Sequence, residues 1–237
     1  MTDVAADLRA RLDAVRKRVE IAARGCNRST DEIALIAISK THPTETLRQA
    51  IDLGVIDLGE NRVQEAEAKI VELGREAARW HLVGHLQENK ARRAIGLFDI
   101  IHSLDSVSLA QRLDRLCASE GRDELPVLVQ INLDGEESKT GTDPQALTQL
   151  LDVVGECQRL SLIGLMTLPP YFEKAEDGRP FFKTLRELRD RLQQEGRFGD
   201  RAGELSMGMS HDFEIAIEEG ATMIRVGTAI FGNRDKA

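Results

Sequence analysis

Lys40 is the residue of this 237-residue sequence whose position most suggests covalent chemistry. It follows the apolar run IALIAIS at 33–39, in which Ile36 and Ile38 share its side of an extended chain. A lysine amine at the end of such a run can act as a nucleophile and form a Schiff base with an aldehyde or a ketone. A lysine that only extends from a strand end into water would have the same pattern. Lys40 alone leaves both interpretations open.

Two glycine-containing motifs near the end of the chain could bind an anion. Gly208-Met209-Ser210 and Gly227-Thr228 each combine a glycine, a hydroxyl and the start of a helical pattern. Glycine allows the backbone to approach a ligand closely, and N–H groups at the start of a helix bind phosphate. Either motif alone could be a helix cap. Phosphate sites formed by the loops after strands 7 and 8 recur in α/β barrels, so the pair predicts a phosphate site.

Arg225 lies two residues before Gly227, near the end of the last apolar run. Two roles remain open for it. It could pair with a carboxylate of the protein, or it could face the ligand as a fixed cation.

The runs that end in these residues belong to a regular alternation of strand and helix patterns. Eight short apolar runs are typical of buried parallel strands, at 33–39, 55–60, 79–85, 98–104, 126–133, 160–168, 204–210 and 222–227. A helix-like segment follows nearly every run. This order predicts right-handed βαβ units and an all-parallel sheet.

The number of units favours a closed α/β fold, a (β/α)8 TIM barrel with an additional N-terminal helix. The alternative is an open, doubly wound sheet, but no Gly-x-Gly-x-x-Gly motif follows the first strand. In a closed barrel the eighth strand lies beside the first, ~4.8 Å away. Lys40 would then face the predicted phosphate site across the barrel mouth. This arrangement suits a small phosphorylated aldehyde.

Helix start and stop signals predict several boundaries. Leucines and valines at helical spacing predict an opening helix from about residue 3 to residue 24, ended by Gly25. Three polar residues are predicted to begin or cap later helices: Asn61 (with Gln64 in a pattern close to a capping box), Ser106, and Asp143 followed by Pro144.

Composition restricts the class of protein. With 41% hydrophobic and 30% charged residues, we expect one domain over 1–237, with the helix of 1–25 packed on the barrel. The net charge of −8 argues against general binding to nucleic acid or anionic membranes. The three cysteines form no C-x-x-C motif, which indicates a reducing compartment. No segment is typical of a signal peptide or a membrane span, so we expect a cytoplasmic protein.

Seven segments of the chain resemble the pyridoxal phosphate homeostasis protein family. In chain order they are AISKTHP, LGENRVQE, WHLVGHLQENK, INLDGEESKTG, GLMTLPP, LSMGMSHDFEIAIEEG and IRVGTAIFG. These proteins are single-domain relatives of the barrel half of alanine racemase, of PLP fold-type III. The resemblance covers nearly the whole chain, and the GMS and RVGTAIFG motifs are its most specific part.

The resemblance implies pyridoxal 5′-phosphate (PLP) as the cofactor, held by Lys40 as an internal aldimine. The other implied cofactor-binding residues are Asn61, Met209 (through its backbone amide), Ser210, Arg225, Gly227 and Thr228. Arg225 would face the pyridine nitrogen. Because a guanidinium cannot accept a proton, that nitrogen should stay unprotonated, which weakens carbanion stabilisation.

Three functions remain open: a PLP carrier or regulator in vitamin B6 homeostasis, a fold-type III racemase or decarboxylase, and a metal-free aldolase acting on phosphorylated sugars. Racemisation needs proton-transfer groups on both faces of the cofactor. In the barrel racemases one of them is a tyrosine of an additional β domain, which is not evident here. The single tyrosine, Tyr171, lies in the polar loop 171–180. We therefore expect a monomeric carrier without catalytic residues, with apo PLP-dependent enzymes as transient partners.

Other residues are weaker candidates. His81 and His85 lie four residues apart in a strand pattern, without the third ligand that a zinc site needs, so no metal is expected. Lys139 also follows a strand, but it is typical of a solvated loop. His211 could touch the phosphate region or be an exposed residue of a first helical turn.

Overall fold

Eight parallel strands form a closed barrel in the computed structural model, which describes residues 4–134, 140–143 and 145–232. The strands are β1 (Ala34–Ile38), β2 (Asp57–Glu60), β3 (Arg79–Leu82), β4 (Ile100–Leu104), β5 (Leu125–Gln130), β6 (Leu160–Met166), β7 (Glu204–Met209) and β8 (Met223–Val226). Each strand pairs with the next, and β8 closes the barrel on β1 with Val226 opposite Ala37. The prediction of a (β/α)8 barrel is confirmed.

Helices cover the outside of the barrel. They are α1 (Val4–Gly25), α2 (Thr44–Asp52), α3 (Val63–Leu73), α4 (Ala91–Leu97), α5 (Val107–Glu120), α6 (Leu147–Glu156), α7 (Arg179–Gln194), α8 (Phe213–Glu218) and α9 (Thr228–Phe231). Helix α1 precedes the first strand and packs on α8 and α9. The Nε–H of its Arg11 donates to the Ile230 carbonyl (2.8 Å), and Arg18 pairs with Glu214 (2.6 Å).

The strands are buried on both faces. Outside the barrel wall, side chains such as those of Leu58, Trp80 and Leu82 pack under the helices and are fully buried. A smaller apolar cluster fills the barrel lumen: Ile36, Ile38, Val83, Ile100, Leu128, Met166 and Met223. This burial on both faces explains why the strands have nearly continuous apolar runs in the sequence.

Two of the predicted helix starts are wrong. Helix α3 begins at Val63 with Arg62 as its N-cap residue, and no side chain makes a capping bond there. Asn61 instead lies in the preceding turn, where its backbone packs against Gly84, so the capping box with Gln64 does not form. The spacing of Asn61 and Gln64 fits a capping box, but residues 61 and 62 form the turn that leaves β2, so α3 begins two residues later.

The second wrong start is at Asp143, because α6 begins only at Leu147. The Asp143 carboxylate accepts from the Gln145 N–H (2.7 Å) and forms a local turn. Pro144 and Lys139 lie outside the described residues. By contrast, the predicted cap at Ser106 is confirmed, since its hydroxyl oxygen accepts from the Leu109 N–H.

Candidate functional site

Lys40 lies in a tight turn directly after β1. The His42 N–H donates to the Ser39 carbonyl (3.1 Å) and closes the turn. Thr41 has a φ of 69°, whereas Lys40 is not in the positive-φ region, a combination typical of a type II turn. That position usually holds glycine. For a β-branched threonine the conformation is strained by of order 1–3 kcal/mol, so its surroundings must hold it.

A largely buried cluster of charged and polar side chains, here called the turn cluster, lies behind this turn. It consists of Ser39, Glu60, Glu65 and Lys69. The Lys69 ammonium donates to the Ser39 carbonyl (2.7 Å), to Glu60 Oε1 (2.6 Å) and to Glu65 Oε1 (2.8 Å). The Ser39 hydroxyl donates to Glu60 Oε1 (2.6 Å), and the Thr41 N–H donates to Glu65 Oε1. The cluster therefore contacts the backbone on both sides of Lys40.

The two carboxylates of the turn cluster differ in their electrostatics. Burial raises the pKa of Glu60 despite hydrogen bonds from Lys69 and Ser39, and its Oε2 is buried with no hydrogen-bond partner among the described residues. Burial acts in the same direction on Glu65, but bonds from Lys69 and the Thr41 N–H outweigh it and lower the pKa of Glu65. Glu65 is thus the firmly ionised partner that contacts the turn.

The loops after β7 and β8 meet at Ser210. Its hydroxyl oxygen accepts from the N–H groups of Gly227 (3.1 Å) and Ala229 (3.3 Å). Gly208, at φ 89°, lets β7 pass into α8, because a Cβ there would lie 2.6 Å from the Cβ of Ala216. The two predicted anion motifs therefore form one continuous structure.

This structure adjoins the turn that carries Lys40. A Cβ on Gly227 would lie 3.4 Å from Cβ of Ile38, two residues before Lys40. On the other side of the turn, the rings of His42 and Phe231 have centroids 4.9 Å apart. The closed barrel thus brings Lys40, Ser210 and Thr228 to one end, at the carboxyl ends of the strands, where α/β barrels carry their sites.

Arg225 is almost fully buried and points its terminal nitrogens at neutral acceptors. Its Nη1 donates to the Ser206 hydroxyl oxygen (2.6 Å) and its Nη2 to the Thr167 carbonyl (2.7 Å). It forms no ion pair with a carboxylate of the described residues. Burial lowers the pKa of Arg225 to about 10, and the nearby charge of Asp212 acts in the opposite direction. The guanidinium still carries its charge at neutral pH.

Behind Arg225 a row of hydrogen-bonded side chains, here called the lumen chain, crosses the barrel through Ser206, His102, His81 and Asp57. Ser206 Oγ and His102 Nδ1 are 2.9 Å apart, His102 Nε2 and His81 Nδ1 are 2.9 Å apart, and His81 Nε2 lies 2.7 Å from Asp57 Oδ1. All four side chains are buried. At the far end, Asp57 also accepts from Arg79 Nη2 (2.9 Å).

The two ends of the lumen chain have fixed hydrogen-bond roles. Arg225 can only donate, so Ser206 Oγ accepts from its Nη1. At the other end, the Asp57 carboxylate accepts from the Nε2–H of His81. Burial, followed by the charges of His81 and Arg225, holds the pKa of His102 well below its usual value. Burial alone would raise the pKa of Asp57, but bonds from His81 and Arg79 lower it to about 2.

The other residues that the sequence analysis considered for the site lie apart from one another or at the edge of the site. Asn61 is half-buried in the turn after β2, and the Met209 N–H donates to Asp212 Oδ1 (2.6 Å). His211 is exposed, with its ring 5.3 Å from that of Tyr171. His81 belongs to the lumen chain.

The second histidine of the predicted pair does not join the first. His85 is exposed and bonds Asp105 (3.1 Å), so His81 and His85 do not converge. Within the described ranges, no three His, Cys, Asp or Glu side chains come together as metal ligands would.

The sequence analysis missed Lys69, His102 and Ser206. A signal for the last two was present, because each is a polar residue that interrupts an apolar run, His102 in β4 and Ser206 in β7. The only sequence signal for Lys69 is its four-residue spacing from Glu65, and this spacing is typical of an ion pair on the exposed face of a helix.

The fold is an α/β barrel of the alanine racemase class, and it has a lysine after the first strand and loops with a glycine and a hydroxyl after the last two. The family model described as "Alanine racemase, N-terminal domain" matches residues 10–235.

Full-length relatives narrow the class further. The chain is 43% identical over 224 residues to the pyridoxal phosphate homeostasis protein of Aquifex aeolicus, covering 94% of this chain and 97% of that protein. It is 40% identical to the Escherichia coli K12 protein of the same name, covering 97% of each. The PLP-bound structure of PipY from Synechococcus elongatus superposes with a TM-score of 0.82 at 39% identity, covering 95% of this chain and 100% of PipY. The chain belongs to the pyridoxal phosphate homeostasis protein family, as its segments predicted.

In the part of the chain that the structure describes, no helix has both the length and the apolar character to cross a membrane.

Proposed function

We propose that this protein binds PLP and acts in PLP homeostasis as a carrier or regulator without catalytic turnover. The observation that carries the proposal is the meeting of the β7 and β8 loops at Ser210, beside the turn that holds Lys40. The PLP-bound structure of the relative PipY and the names of the curated relatives support it.

The residues present fit the chemical groups of PLP. Lys40 would hold PLP through its amine, which can condense with the aldehyde group with loss of one water. An N–H of Arg225 donates to the ring nitrogen. The phosphate is bound by the Ser210 and Thr228 hydroxyls and by backbone amides near Met209 and Gly227. Asn61, at the end of β2, is a further contact.

Two features of the site favour a carrier over a racemase or decarboxylase. PLP, when bound, supplies an electron sink whose strength depends on a protonated ring nitrogen. Arg225 cannot provide that proton, and its own partners are the neutral Ser206 and Thr167. Tyr171 is 76% exposed and its ring lies beside that of the exposed His211, so it is not enclosed in the site as a proton-transfer group would be.

The proposal includes a monomer in a reducing cytoplasm, with transient delivery of PLP to apo-enzymes. The cysteines of the chain support this compartment, since Cys26, Cys117 and Cys157 form no disulfide. Burial raises the pKa of Cys157 to about 11 and also raises that of Cys117, which keeps both thiols protonated and unreactive.

The test is a titration of the apo-protein with PLP, followed by absorption and fluorescence. We expect saturable binding at one site per chain, lost in Lys40→Ala and kept in Lys183→Ala, a matched exposed lysine on α7. The holo-protein is then mixed with a panel of amino acids and, separately, with an apo PLP enzyme. Activation of the apo-enzyme without amino-acid turnover supports the carrier. Sustained racemisation or decarboxylation would contradict it.

A further inference from the structure

Lys69 is a buried lysine that the proposed chemistry does not use. Its side chain is only 8% exposed, and its three N–H groups are matched by three acceptors. One is the Ser39 carbonyl, which immediately precedes Lys40. Another is Glu65 Oε1, which also accepts from the Thr41 N–H immediately after Lys40. Lys69 therefore acts on the backbone on both sides of the proposed PLP lysine.

The turn needs such support because its conformation is unfavourable for its sequence. Thr41 has a φ of 69°, a region that β-branched residues rarely adopt. The Ser39 carbonyl already accepts the His42 N–H that closes the turn, and Lys69 is its second donor. With the ammonium removed, this carbonyl would lose a charged donor and Glu65 would lose the cation beside it.

We infer that Lys69 is a positioning residue, which holds the Ser39–His42 turn so that the Lys40 amine meets the aldehyde of PLP. The inference rests on the proposed function. An ion pair between Glu65 and Lys69, four residues apart on α3, could only stabilise that helix. The Lys69 ammonium also bonds the Ser39 carbonyl in the turn, and this contact supports a positioning role. Glu67, on the same helix, provides the contrast: it pairs with Arg93 (3.2 Å) on neighbouring α4 and does not contact the turn.

The test compares substitutions on α3. Lys69→Met should weaken PLP binding by about tenfold or more, and Lys69→Arg should recover part of the loss because guanidinium keeps the charge and the donors. Glu65→Ala, which leaves the Lys69–Glu60 pair in place, should also weaken binding. Glu67→Ala, the matched control, should not. Thermal unfolding of each apo-variant confirms that it is folded.

Two further readouts separate positioning from general stability. In the amide NMR spectrum of the apo-protein, the Thr41 signal should move upfield in Glu65→Ala and in Lys69→Met. Adding Thr41→Gly to Lys69→Met should partly restore PLP affinity, because glycine adopts a positive φ without strain. A loss of fold stability alone would not be corrected by this glycine.

The outcomes distinguish the two proposals. If the wild-type protein binds PLP at Lys40, but folded Lys69→Met and Glu65→Ala bind it as tightly as Glu67→Ala, the positioning role is wrong and the PLP function stands. If the wild-type protein forms no bond between PLP and Lys40, the proposed function fails, and the positioning role fails with it.

Discussion

The lumen chain and the turn cluster each support one cation of the site, but they do so in different ways. The lumen chain begins at Ser206, beside Arg225, and reaches Asp57 through the imidazoles of His102 and His81. The turn cluster is built from charges and binds the backbone beside Lys40. The comparison indicates that Arg225 is oriented by the neutral acceptors Ser206 and Thr167, which suits the proposed contact with an unprotonated ring nitrogen. Lys40, in contrast, is oriented through its turn.

Removing the charged end of the lumen chain should have the largest effect on the fold. Asp57→Ala leaves the buried His81 without its acceptor and Arg79 without its partner, and should lower the unfolding free energy by about 3 kcal/mol. Urea denaturation at pH 7 measures it. Asp152→Ala, which removes an exposed partner of Arg197, should change stability by less than about 0.5 kcal/mol. Equal effects of the two substitutions would mean that the lumen chain contributes no more to stability than an ion pair on the surface.

Removing the Ser206 hydroxyl, which lies next to Arg225 in the lumen chain, should lower the unfolding free energy by less. Ser206→Ala leaves Arg225 Nη1 and His102 Nδ1 without a partner, at a cost of about 2 kcal/mol. It should also alter the absorption of bound PLP. The buried Ser103, on β4, donates to the Gly84 carbonyl (2.7 Å), away from Arg225. Ser103→Ala is thus the control, and the absorption should stay unchanged in it. A spectrum that responds equally to both substitutions would contradict the orienting role.

Arg225 itself can be tested by reversing its charge. Arg225→Glu would allow the ring nitrogen to be protonated, so the absorption of bound PLP should change and affinity should fall by about tenfold. Spectra at saturating PLP measure the first effect and a titration the second. Arg225→Lys should keep a spectrum closer to that of the wild type. An unchanged spectrum and affinity in Arg225→Glu would count against the contact.

The smallest predicted effect is a pH dependence of stability that arises from His102. Its pKa in the folded state lies well below 6.5 because of burial, so the unfolded chain takes up a proton near pH 6.5 that the folded protein does not. Stability should therefore fall on acidification, by about 0.7 kcal/mol between pH 7 and pH 6. Asp57, with a lowered pKa, contributes stability that is lost only below about pH 4.

Urea denaturation at both pH values measures the contribution of His102. His102→Gln should flatten the change between pH 7 and pH 6. A slope that is the same in both proteins would assign the pH dependence to other groups.

The sequence predicted the barrel because its strands, buried on both faces, have continuous apolar runs in a regular order. That Lys40, Ser210 and Thr228 lie at the same end could be predicted, because the carboxyl ends of the strands meet at one end of a barrel. The turn cluster could not be found, since Lys69 reaches across to Ser39, thirty residues earlier, and no glycine marks the strained turn at Thr41. The predicted helix starts at Asn61 and Asp143 were wrong, because the polar residues at these positions form turns instead of helix caps.

The same limit applies to the lumen chain. His102 and Ser206 lie 104 residues apart in the sequence, and only the closure of the barrel makes them neighbours. A polar residue inside an apolar strand indicates a buried partner, but the sequence does not identify that partner.

The most direct test of the account is borohydride reduction of the PLP-loaded protein, followed by tryptic peptide mass mapping. Reduction converts the imine into a stable amine and fixes the cofactor where it is bound. We expect one phosphopyridoxyl group per chain, in the peptide of residues 29–48, with cleavage after Lys40 blocked. Label on any other lysine, or saturable PLP binding that leaves Lys40 unmodified, would contradict it.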